Sequence, residues 1–370
     1  MKKIVISINT SWNVINFRLG LLKALQNKGF DITILAPKDK YSDLFKDHNF
    51  NYYEIEMNNK GTNPIEDSKL IIRYYNALKN IKPDLMLNYT IKPNIYGTIA
   101  ADLLKIPTIN NIAGLGTLFI KENFITKIAK YLYKYSQAKA EHVFFQNNDD
   151  FELFTSQNLV EKSKCGILPG SGVDTNKFIP IKVEKKDTKL RFLLISRMLW
   201  DKGIQEYVDA AREIKRKYDN VEFQLLGFLD VSNKTAIGKE QMDIWVNEGI
   251  VNYLGTSDNV KNEISKCDCI VLPSFYREGT PRTLLESASM AKPIITTDNI
   301  GCRDVVDDNI NGFLCKMKDT KNLQEKIEKM IKLSEEERIL MGEKGREKII
   351  NEFEEKIVIN KYINAIEKIF

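Results

Sequence analysis

Two glutamates, Glu278 and Glu286, stand eight positions apart within the stretch 269–312. A carboxylate accepts hydrogen bonds, so such a pair suits the hydroxyl groups of sugars. Two glutamates at this spacing also arise by chance in a chain of which 28% is charged. Glu286 is the more informative of the two. It stands among Leu284, Leu285, Ala288 and Met290, where an unpaired carboxylate would be costly.

The same stretch reads as a strand, a loop and a helix, with apolar residues at 270–272 and helical spacing over 283–291. We expect the helix to begin near Pro281, whose ring suits the first position, with Thr280 as the cap. The backbone N–H groups of such a helix start attract phosphate. The candidate phosphate-binding residues are Thr280, Pro281, Arg282 and Thr283.

Two cations, Arg197 and Lys202, directly follow a predicted strand at 191–196, and Gly203 precedes the next helix. An arginine can bind two oxygens at once and a lysine adds a point charge, so the pair suits a diphosphate. We call Arg197 and Lys202 the diphosphate clamp. A diphosphate flanked by carboxylates that bind sugar hydroxyls is a nucleotide sugar, and the sequence predicts a site for one.

These segments resemble the retaining glycosyltransferases of family 4. The spacing of Glu278 and Glu286 matches the E-x7-E motif of that family. ISRMLWDKG is similar to its diphosphate-binding segment, and AKPIITTDNIGCRDVVDDNINGFL to the stretch that closes its donor domain. The resemblance covers essentially the whole chain. It is nearest to bacterial enzymes that add N-acetylgalactosamine or a related sugar to an undecaprenyl-diphosphate-linked sugar.

The resemblance implies an α/β chain with the GT-B fold, in which two Rossmann-like doubly wound domains face each other across a deep cleft. The expected domains are 1–175 for the acceptor and 176–352 for the nucleotide sugar, with a C-terminal helix at 353–370 that returns to the first domain. The implied reaction is transfer of a hexose or N-acetylhexosamine, with N-acetylgalactosamine in α linkage as the best guess, from a UDP-sugar. No cofactor or metal is expected.

The resemblance also assigns roles to the candidate residues. Glu286 accepts from the ribose, the clamp neutralises the diphosphate, Glu278 holds hydroxyls of the transferred sugar, and the loop at Gly255 borders the base. In the first domain Arg18 is placed to reach a diphosphate, with a surface arginine as the alternative. The backbone of Gly114 and Gly116 is placed to approach the sugar, with a plain turn as the alternative.

Many relatives carry a histidine in one of two loops of the first domain, and this chain has none at 88–93 or 113–117. Retaining transferases of this kind let the departing diphosphate take the proton of the acceptor, so no protein base is required. The runner-up function is a UDP-N-acetylglucosamine 2-epimerase of the same architecture, and the lack of histidine counts against it. A third reading is a sugar-binding protein, which has no need of cations at a leaving group.

The N-terminal half begins with a strand at 3–8, a polar loop at 9–16 and a helix at 17–28. The loop lacks G-x-G-x-x-G, which argues against a dinucleotide dehydrogenase. Relatives often have paired glycines here, where this chain has Ser11, Trp12 and Asn13. In relatives this loop bends over the donor phosphates.

A basic stretch at 121–142 has helical spacing, and its lysines lie among the tyrosines Tyr131 and Tyr133. The lysines are Lys127, Lys130, Lys134 and Lys139. A basic helix with interfacial aromatics suits an anionic membrane surface, with an ordinary packed helix as the alternative. We expect a peripheral protein on the inner face of a bacterial plasma membrane, with a nucleotide sugar and a lipid-linked sugar as partners and no nucleic acid.

Composition agrees with a cytoplasmic location. The net charge of +5 favours anionic partners, and the N-terminal MKKIVISINTSW reads as a strand and loop rather than an export signal. Five cysteines give no even framework and only two histidines are present, so we expect reduced thiols and no zinc site.

Overall fold

The computed structural model describes residues 1–58, 63–115, 124–184, 187–231 and 233–370, with backbone alone for residues 124 and 125. The chain divides into two compact units. Unit 1 comprises residues 1–171 together with 355–370, and unit 2 comprises residues 172–354.

Unit 1 contains a sheet of seven parallel strands in the order β3-β2-β1-β4-β5-β6-β7. The strands are β1 (Lys3–Ser7), β2 (Asp31–Ala36), β3 (Asn51–Glu54), β4 (Leu85–Tyr89), β5 (Thr108–Ile112), β6 (His142–Phe145) and β7 (Cys165–Ile167). The helices that join them are α1 (Ser11–Phe17), α2 (Leu19–Asn27), α3 (Pro64–Ile81), α4 (Thr98–Leu103), α5 (Phe124–Lys139) and α6 (Asn148–Ser156). A π-helical turn at Pro93–Gly97 leads into α4.

Unit 2 contains a six-stranded parallel sheet in the order β10-β9-β8-β11-β12-β13. Its strands are β8 (Leu190–Ile195), β9 (Val221–Leu226), β10 (Asn252–Tyr253), β11 (Cys269–Leu272), β12 (Ile294–Thr297) and β13 (Gly312–Cys315). Its helices are α7 (Ile204–Lys215), α8 (Lys239–Asn247), α9 (Val260–Lys266), α10 (Arg282–Ser289), α11 (Thr320–Lys332) and α12 (Glu335–Glu352). The last helix of the chain, α13 (Glu355–Glu367), belongs to unit 1 and packs against α2.

Each sheet is buried on both faces, as expected for parallel strands connected by helices. In unit 1 Ile4 and Ile6 of β1 pack with α2 and α13 on one face, and Val5 packs with α3 on the other. In unit 2 Phe192 of β8 packs with α7, α8 and α11, and Leu193 packs with α10 and α12. Successive side chains of a strand point to opposite faces of the sheet, so each strand contributes to the hydrophobic core on both faces.

The strand order places one switch point in each unit. The chain starts at a central strand, winds outward to one edge and then returns to wind toward the other edge, so the reversal lies between β1 and β4 and again between β8 and β11. Loops at the carboxyl ends of the two strands at a switch point leave in opposite directions and open a crevice. These are the two places in the fold where a ligand is expected.

Two local predictions in unit 1 are wrong. The polar stretch at 9–16 is not a loop, because α1 begins at Ser11, with the Thr10 hydroxyl accepting from the Asn13 amide. The helix expected at 17–28 is interrupted at Arg18, whose φ of −127° separates α1 from α2. The early start of α1 is explained by Asp39, whose carboxylate accepts from the Ser11 and Trp12 amides. A contact between residues so far apart in the chain has no local sequence signature.

Candidate active site

The turn after β8 carries both residues of the diphosphate clamp. It contains a single 3-10 turn at Trp200–Lys202 and closes on Gly203, which has a φ of 74°. A Cβ at Gly203 would lie 2.1 Å from the Pro273 carbonyl oxygen, so the turn rests directly on the end of β11. Glycine is required here both for the left-handed backbone and for the close approach. The contact brings the loops after β8 and β11 together at the switch point of unit 2.

Lys202 and Glu278 form an ion pair in this crevice. The Lys202 ammonium donates to Oε1 of Glu278, and the Ser274 hydroxyl donates to the same oxygen at 3.1 Å. The lysine side chain retains 8% of its exposure and the glutamate 16%. The structure therefore brings one residue of the clamp and the first glutamate of the E-x7-E pair into direct contact.

Arg197 lies on the exposed rim of the same crevice, close to Tyr276. Burial raises the pKa of Tyr276, and the positive charge of Arg197 opposes that rise. The Lys202 ammonium lies 5.2 Å from the centroid of the tyrosine ring. Tyr276 thus contacts both cations. Sequence reasoning missed it, although it stands two positions before Glu278.

The loop between β11 and α10 is fixed by its neighbours. The Asp201 carbonyl accepts from the amides of Phe275 and Tyr276, each at 3.0 Å. The Asn299 side chain donates to the carbonyls of Ser274 and Tyr276 at 3.3 and 3.1 Å. These supports hold Glu278 in place. Neither Asp201 nor Asn299 shows a spacing that would have identified it.

Helix α10 begins at Arg282, one residue later than expected, and Pro281 is its N-cap. The prediction that Thr280 caps the helix is wrong, since proline offers no side-chain acceptor and no side-chain cap bond is present at this described terminus. Thr280 and Pro281 are buried, and Thr283 is half-buried. Because α10 follows β11, its first turn stands at the carboxyl edge of the sheet, as a phosphate site requires.

Glu286 projects from the second turn of α10 and pairs with Arg282. The Arg282 Nε donates to Oε1 of Glu286 at 2.9 Å, and its guanidinium also donates to the Gly172 carbonyl. Burial raises the pKa of Glu286, whereas the charge of Arg282 and the more distant Lys177 lower it. The arginine therefore holds one oxygen of the carboxylate in a fixed position, and binding of a ligand by Arg282 itself remains a prediction.

The remaining candidates lie in separate places. Gly255 follows β10 with a φ of 72°, and its carbonyl accepts from the Gly227 amide at 2.8 Å. Gly114 belongs to unit 1 and has a φ of 102°. Gly116 lies outside the described residues. The binding roles of these glycines remain predictions.

Arg18 in unit 1 is not the surface residue that the sequence left open as an alternative. Its side chain is buried, with 5% of its surface exposed, and its guanidinium lies 4.6 Å from the ring centroid of Tyr89. Tyr89 ends β4, the neighbour of β1. Arg18 thus lies at the switch point of unit 1.

Comparison with known proteins identifies both halves of the chain. The model described as "Glycosyl transferase 4-like" matches residues 3–147, and the model described as "Glycosyl transferases group 1" matches residues 175–348. The chain belongs to the glycosyltransferases. The resemblance to glycosyltransferases that the motifs indicated is confirmed.

Two curated relatives match nearly the whole transferase. The N,N'-diacetylbacillosaminyl-diphospho-undecaprenol alpha-1,3-N-acetylgalactosaminyltransferase of Campylobacter jejuni is 28% identical, and the match covers 96% of each chain. The UDP-Gal:alpha-D-GlcNAc-diphosphoundecaprenol alpha-1,3-galactosyltransferase of Escherichia coli is 24% identical over 89% of this chain and 87% of its own. Among solved structures, HepE of Anabaena in complex with UDP and glucose superposes with a TM-score of 0.79 at 16% identity over all of both chains. The GT-B fold of two doubly wound parallel sheets is confirmed.

Helix α5 presents a basic and aromatic face on unit 1 of the transferase. Its exposed side chains include Lys127, Ile128, Tyr131, Lys134, Tyr135 and Lys139. Tyr133, which the sequence placed with the interfacial residues, is instead buried against Phe154 with ring centroids 5.2 Å apart. The start of the predicted basic stretch, 121–123, lies outside the described residues. Across the described chain, every helix is too short or too polar to cross a bilayer.

Proposed function

We propose that this transferase is a retaining enzyme of family 4 that moves an N-acetylhexosamine or hexose, first of all N-acetylgalactosamine, from UDP to an undecaprenyl-diphosphate-linked sugar in α linkage. The observation that carries the proposal is the Lys202–Glu278 pair beside Arg197 at the switch point of unit 2. The names of the two curated relatives, which both specify undecaprenyl-diphosphate carriers, support the choice of acceptor.

The clamp acts on the leaving group. Departure of UDP from the sugar increases negative charge on the diphosphate, so Arg197 and Lys202 stabilise the transition state more than the bound donor. An ammonium group has three N–H donors, and Glu278 takes one in this structure. The remaining donors of Lys202 are directed to the diphosphate in our proposal. Because the clamp supplies the charge, we propose that no metal takes part.

The carboxylates bind hydroxyl groups. Glu286 uses the oxygen that Arg282 does not occupy to accept from the ribose, and Glu278 holds a hydroxyl of the transferred sugar. The Lys202 ammonium and the Ser274 hydroxyl orient Glu278 for this contact. Glu286 and Glu278 thus bind the ribose and the transferred sugar, and Lys202 binds the diphosphate between them.

The proton of the acceptor hydroxyl passes to the departing diphosphate oxygen. Both histidines of the chain lie in unit 1 and pack against aromatic rings. His142 starts β6, at the edge opposite the carboxyl ends of the strands, and its centroid lies 4.4 Å from that of Phe144. His48 ends a 3-10 helix at 5.9 Å from Phe50. Neither stands at a switch point, which favours a mechanism without a histidine base.

We further propose that the exposed face of α5 binds the inner face of the plasma membrane, where the lipid-linked acceptor lies. Lys127 and Lys134 provide charge for anionic headgroups, and Tyr131 and Tyr135 provide rings for the interface, whereas Lys139 pairs with Asp102 at 3.2 Å. The apolar residue Ile128 is exposed among them. Contiguous exposed apolar and aromatic side chains mark surfaces that dock on membranes or proteins.

The experiment is a panel of radiolabelled UDP-sugars offered to the purified protein with undecaprenyl-diphosphate-linked N-acetylhexosamines, followed by extraction into organic solvent. We expect label in the lipid phase, highest with UDP-N-acetylgalactosamine. A parallel reaction without acceptor tests the epimerase alternative. Conversion of the UDP-sugar without acceptor, or the absence of lipid-bound label with every donor, would contradict the proposal.

A further inference from the structure

Arg18 is an unpaired charge in a buried position. Its guanidinium keeps 5% exposure, and over the described ranges it has no carboxylate within ion-pair distance and no hydrogen-bond acceptor. Its guanidinium lies over the ring of Tyr89, and its positive charge partly offsets the rise that burial causes in the pKa of Tyr362. A buried charge without a partner is strongly destabilising, so a chain that keeps one has a use for it. A bound anion would complete the site.

A second polar group at the same switch point is also unsatisfied. Thr90, which directly follows Tyr89, has a φ of 70°, a conformation that β-branched residues rarely adopt. Its hydroxyl is buried and has no hydrogen-bond partner in the described chain. A hydroxyl and a guanidinium are both donors that an oxyanion accepts from. Thr90 is half-buried and the neighbouring Ile91 is 38% exposed, so a ligand can reach the site.

The helix start beside this site is already occupied. In α1 the amides of Ser11 and Trp12 donate to one oxygen of Asp39 at 2.8 and 3.2 Å, and the Asn13 amide donates to Thr10. An internal carboxylate therefore takes the position at which a phosphate would meet the helix start. An anion at the β1–β4 switch point is left with side-chain donors.

We infer that Arg18, assisted by the Thr90 hydroxyl, binds a phosphoryl oxygen of a substrate diphosphate at the switch point of unit 1. The inference rests on the proposed function, which supplies two molecules with this chemistry, the UDP-sugar and the lipid-linked acceptor. The side chains of Arg18 and Thr90 thus provide the donors for the anion, because Asp39 occupies the backbone amides at the start of α1. Arg18 is therefore assigned a binding role.

The test compares Arg18→Met and Arg18→Lys with Lys23→Met, a charge-matched control on the exposed surface of α2. We measure the KM of each substrate, kcat, and the Kd of UDP. Loss of a charge-assisted hydrogen bond predicts a weakening of about tenfold to hundredfold in Arg18→Met. A change in UDP Kd with an unchanged acceptor KM assigns the donor diphosphate, and the reverse assigns the acceptor diphosphate. Both results support the inference.

Thermal unfolding separates a binding role from a structural one. Removing an unpaired buried charge should leave the ligand-free Arg18→Met protein as stable as wild type or more so. A lower Tm with both KM values unchanged would identify a structural guanidinium and overturn the inference. If Arg18→Met does not fold, Arg18→Lys provides the same comparison, because lysine keeps the charge but cannot bind two oxygens at once. Unchanged constants in Arg18→Lys would then overturn it.

Failure of the proposed function would be recognised separately. If the wild-type protein transfers no sugar, the inference can still be tested by the binding of inorganic pyrophosphate. The Lys202→Met protein, in which the site of unit 2 is weakened, is compared with the Arg18→Met/Lys202→Met double variant. Equal pyrophosphate affinity of these two proteins would refute the inference. Weaker binding without Arg18 would support it.

Discussion

Replacing Lys202 by methionine should separate the catalytic role of the ion pair from its structural one. Methionine has nearly the volume of lysine and carries no charge, so the buried position leaves no cavity. We expect two independent losses. Turnover falls because the leaving group loses a fixed cation, and stability falls because Glu278 loses its partner in a site where it keeps 16% exposure.

The two losses differ in size. Removal of one fixed group that stabilises developing charge typically costs about 100-fold to 1000-fold in kcat. Breaking a fully buried ion pair costs about 3 to 5 kcal/mol. Glu278 is not fully buried and keeps the Ser274 hydroxyl, so we expect about 2 kcal/mol in the free energy of unfolding. UDP should still bind, because Arg197 and the start of α10 remain.

A double-mutant cycle with Glu278→Gln provides the assay. The double variant removes both charges, so it should recover most of the lost free energy of unfolding in a denaturant titration while its kcat remains low. Lys217→Met is the control, because the Lys217–Glu328 pair lies in the same unit but is exposed. That control should keep wild-type turnover and lose less than about 1 kcal/mol.

Two outcomes would refute this reasoning. Turnover of Lys202→Met within about threefold of wild type would remove the lysine from the transition state. Recovery of turnover together with stability in the double variant would show that the pair only supports the loop.

Three further predictions follow from the site. Burial raises the pKa of Glu286, so the KM of the donor should rise as pH falls through a value above the usual range of a glutamate. Glu286→Gln should remove that pH dependence and weaken binding of the donor at neutral pH. Gly203→Ala should lower stability by more than 2 kcal/mol and reduce turnover, because its Cβ meets a carbonyl at 2.1 Å; Gly249→Ala, with a φ of 69° and open space around it, should cost only about 1 kcal/mol in a chemical denaturation series. Changing Lys127 and Lys134 to glutamine should weaken binding to anionic vesicles by about 2 kcal/mol, or about 30-fold, in a sedimentation assay.

The stability effect of Glu286 has a definite sign. Its folded-state pKa is raised, so the protonated form is favoured by folding, and its contribution to stability is present at low pH and lost as pH rises through the raised value. The Glu286→Gln protein should therefore show a flatter dependence of the free energy of unfolding on pH. An unchanged dependence would place the titrating group elsewhere.

The vesicle experiment has a charge-matched control. Lys234 and Lys239 are exposed on unit 2, so changing both to glutamine alters the net charge by the same amount. Equal weakening in the two double variants would indicate general attraction to the surface rather than docking through α5. Binding of the control at the wild-type level, with weakening only in the α5 variant, is the expected result.

The sequence predicted the elements of unit 2 well, because local patterns define them. The strand predicted at 191–196 is β8, observed at Leu190–Ile195, and the Arg197, Lys202 and Glu278 motifs come together because parallel strands align their carboxyl ends. The predictions around α1 failed for the opposite reason. Asp39 binds amides 27 and 28 positions earlier in the chain, and no periodicity encodes such a contact.

Burial of polar groups was also out of reach of sequence patterns. Arg18 and Tyr133 both stand in stretches that read as solvent-exposed or interfacial, yet both are buried. A single arginine beside apolar residues fits a surface helix as well as a core position. The topology of the sheet decides between the two, and that topology emerges only when β1 and β4 pair.

The most direct measurement is a crystal structure of the protein with UDP bound. We expect diphosphate oxygens within hydrogen-bond distance of the Arg197 guanidinium, the Lys202 ammonium and the first amides of α10, with the ribose on Glu286. UDP bound with its diphosphate away from Arg197 and Lys202, or with Glu286 turned from the ribose, would contradict the proposed donor site.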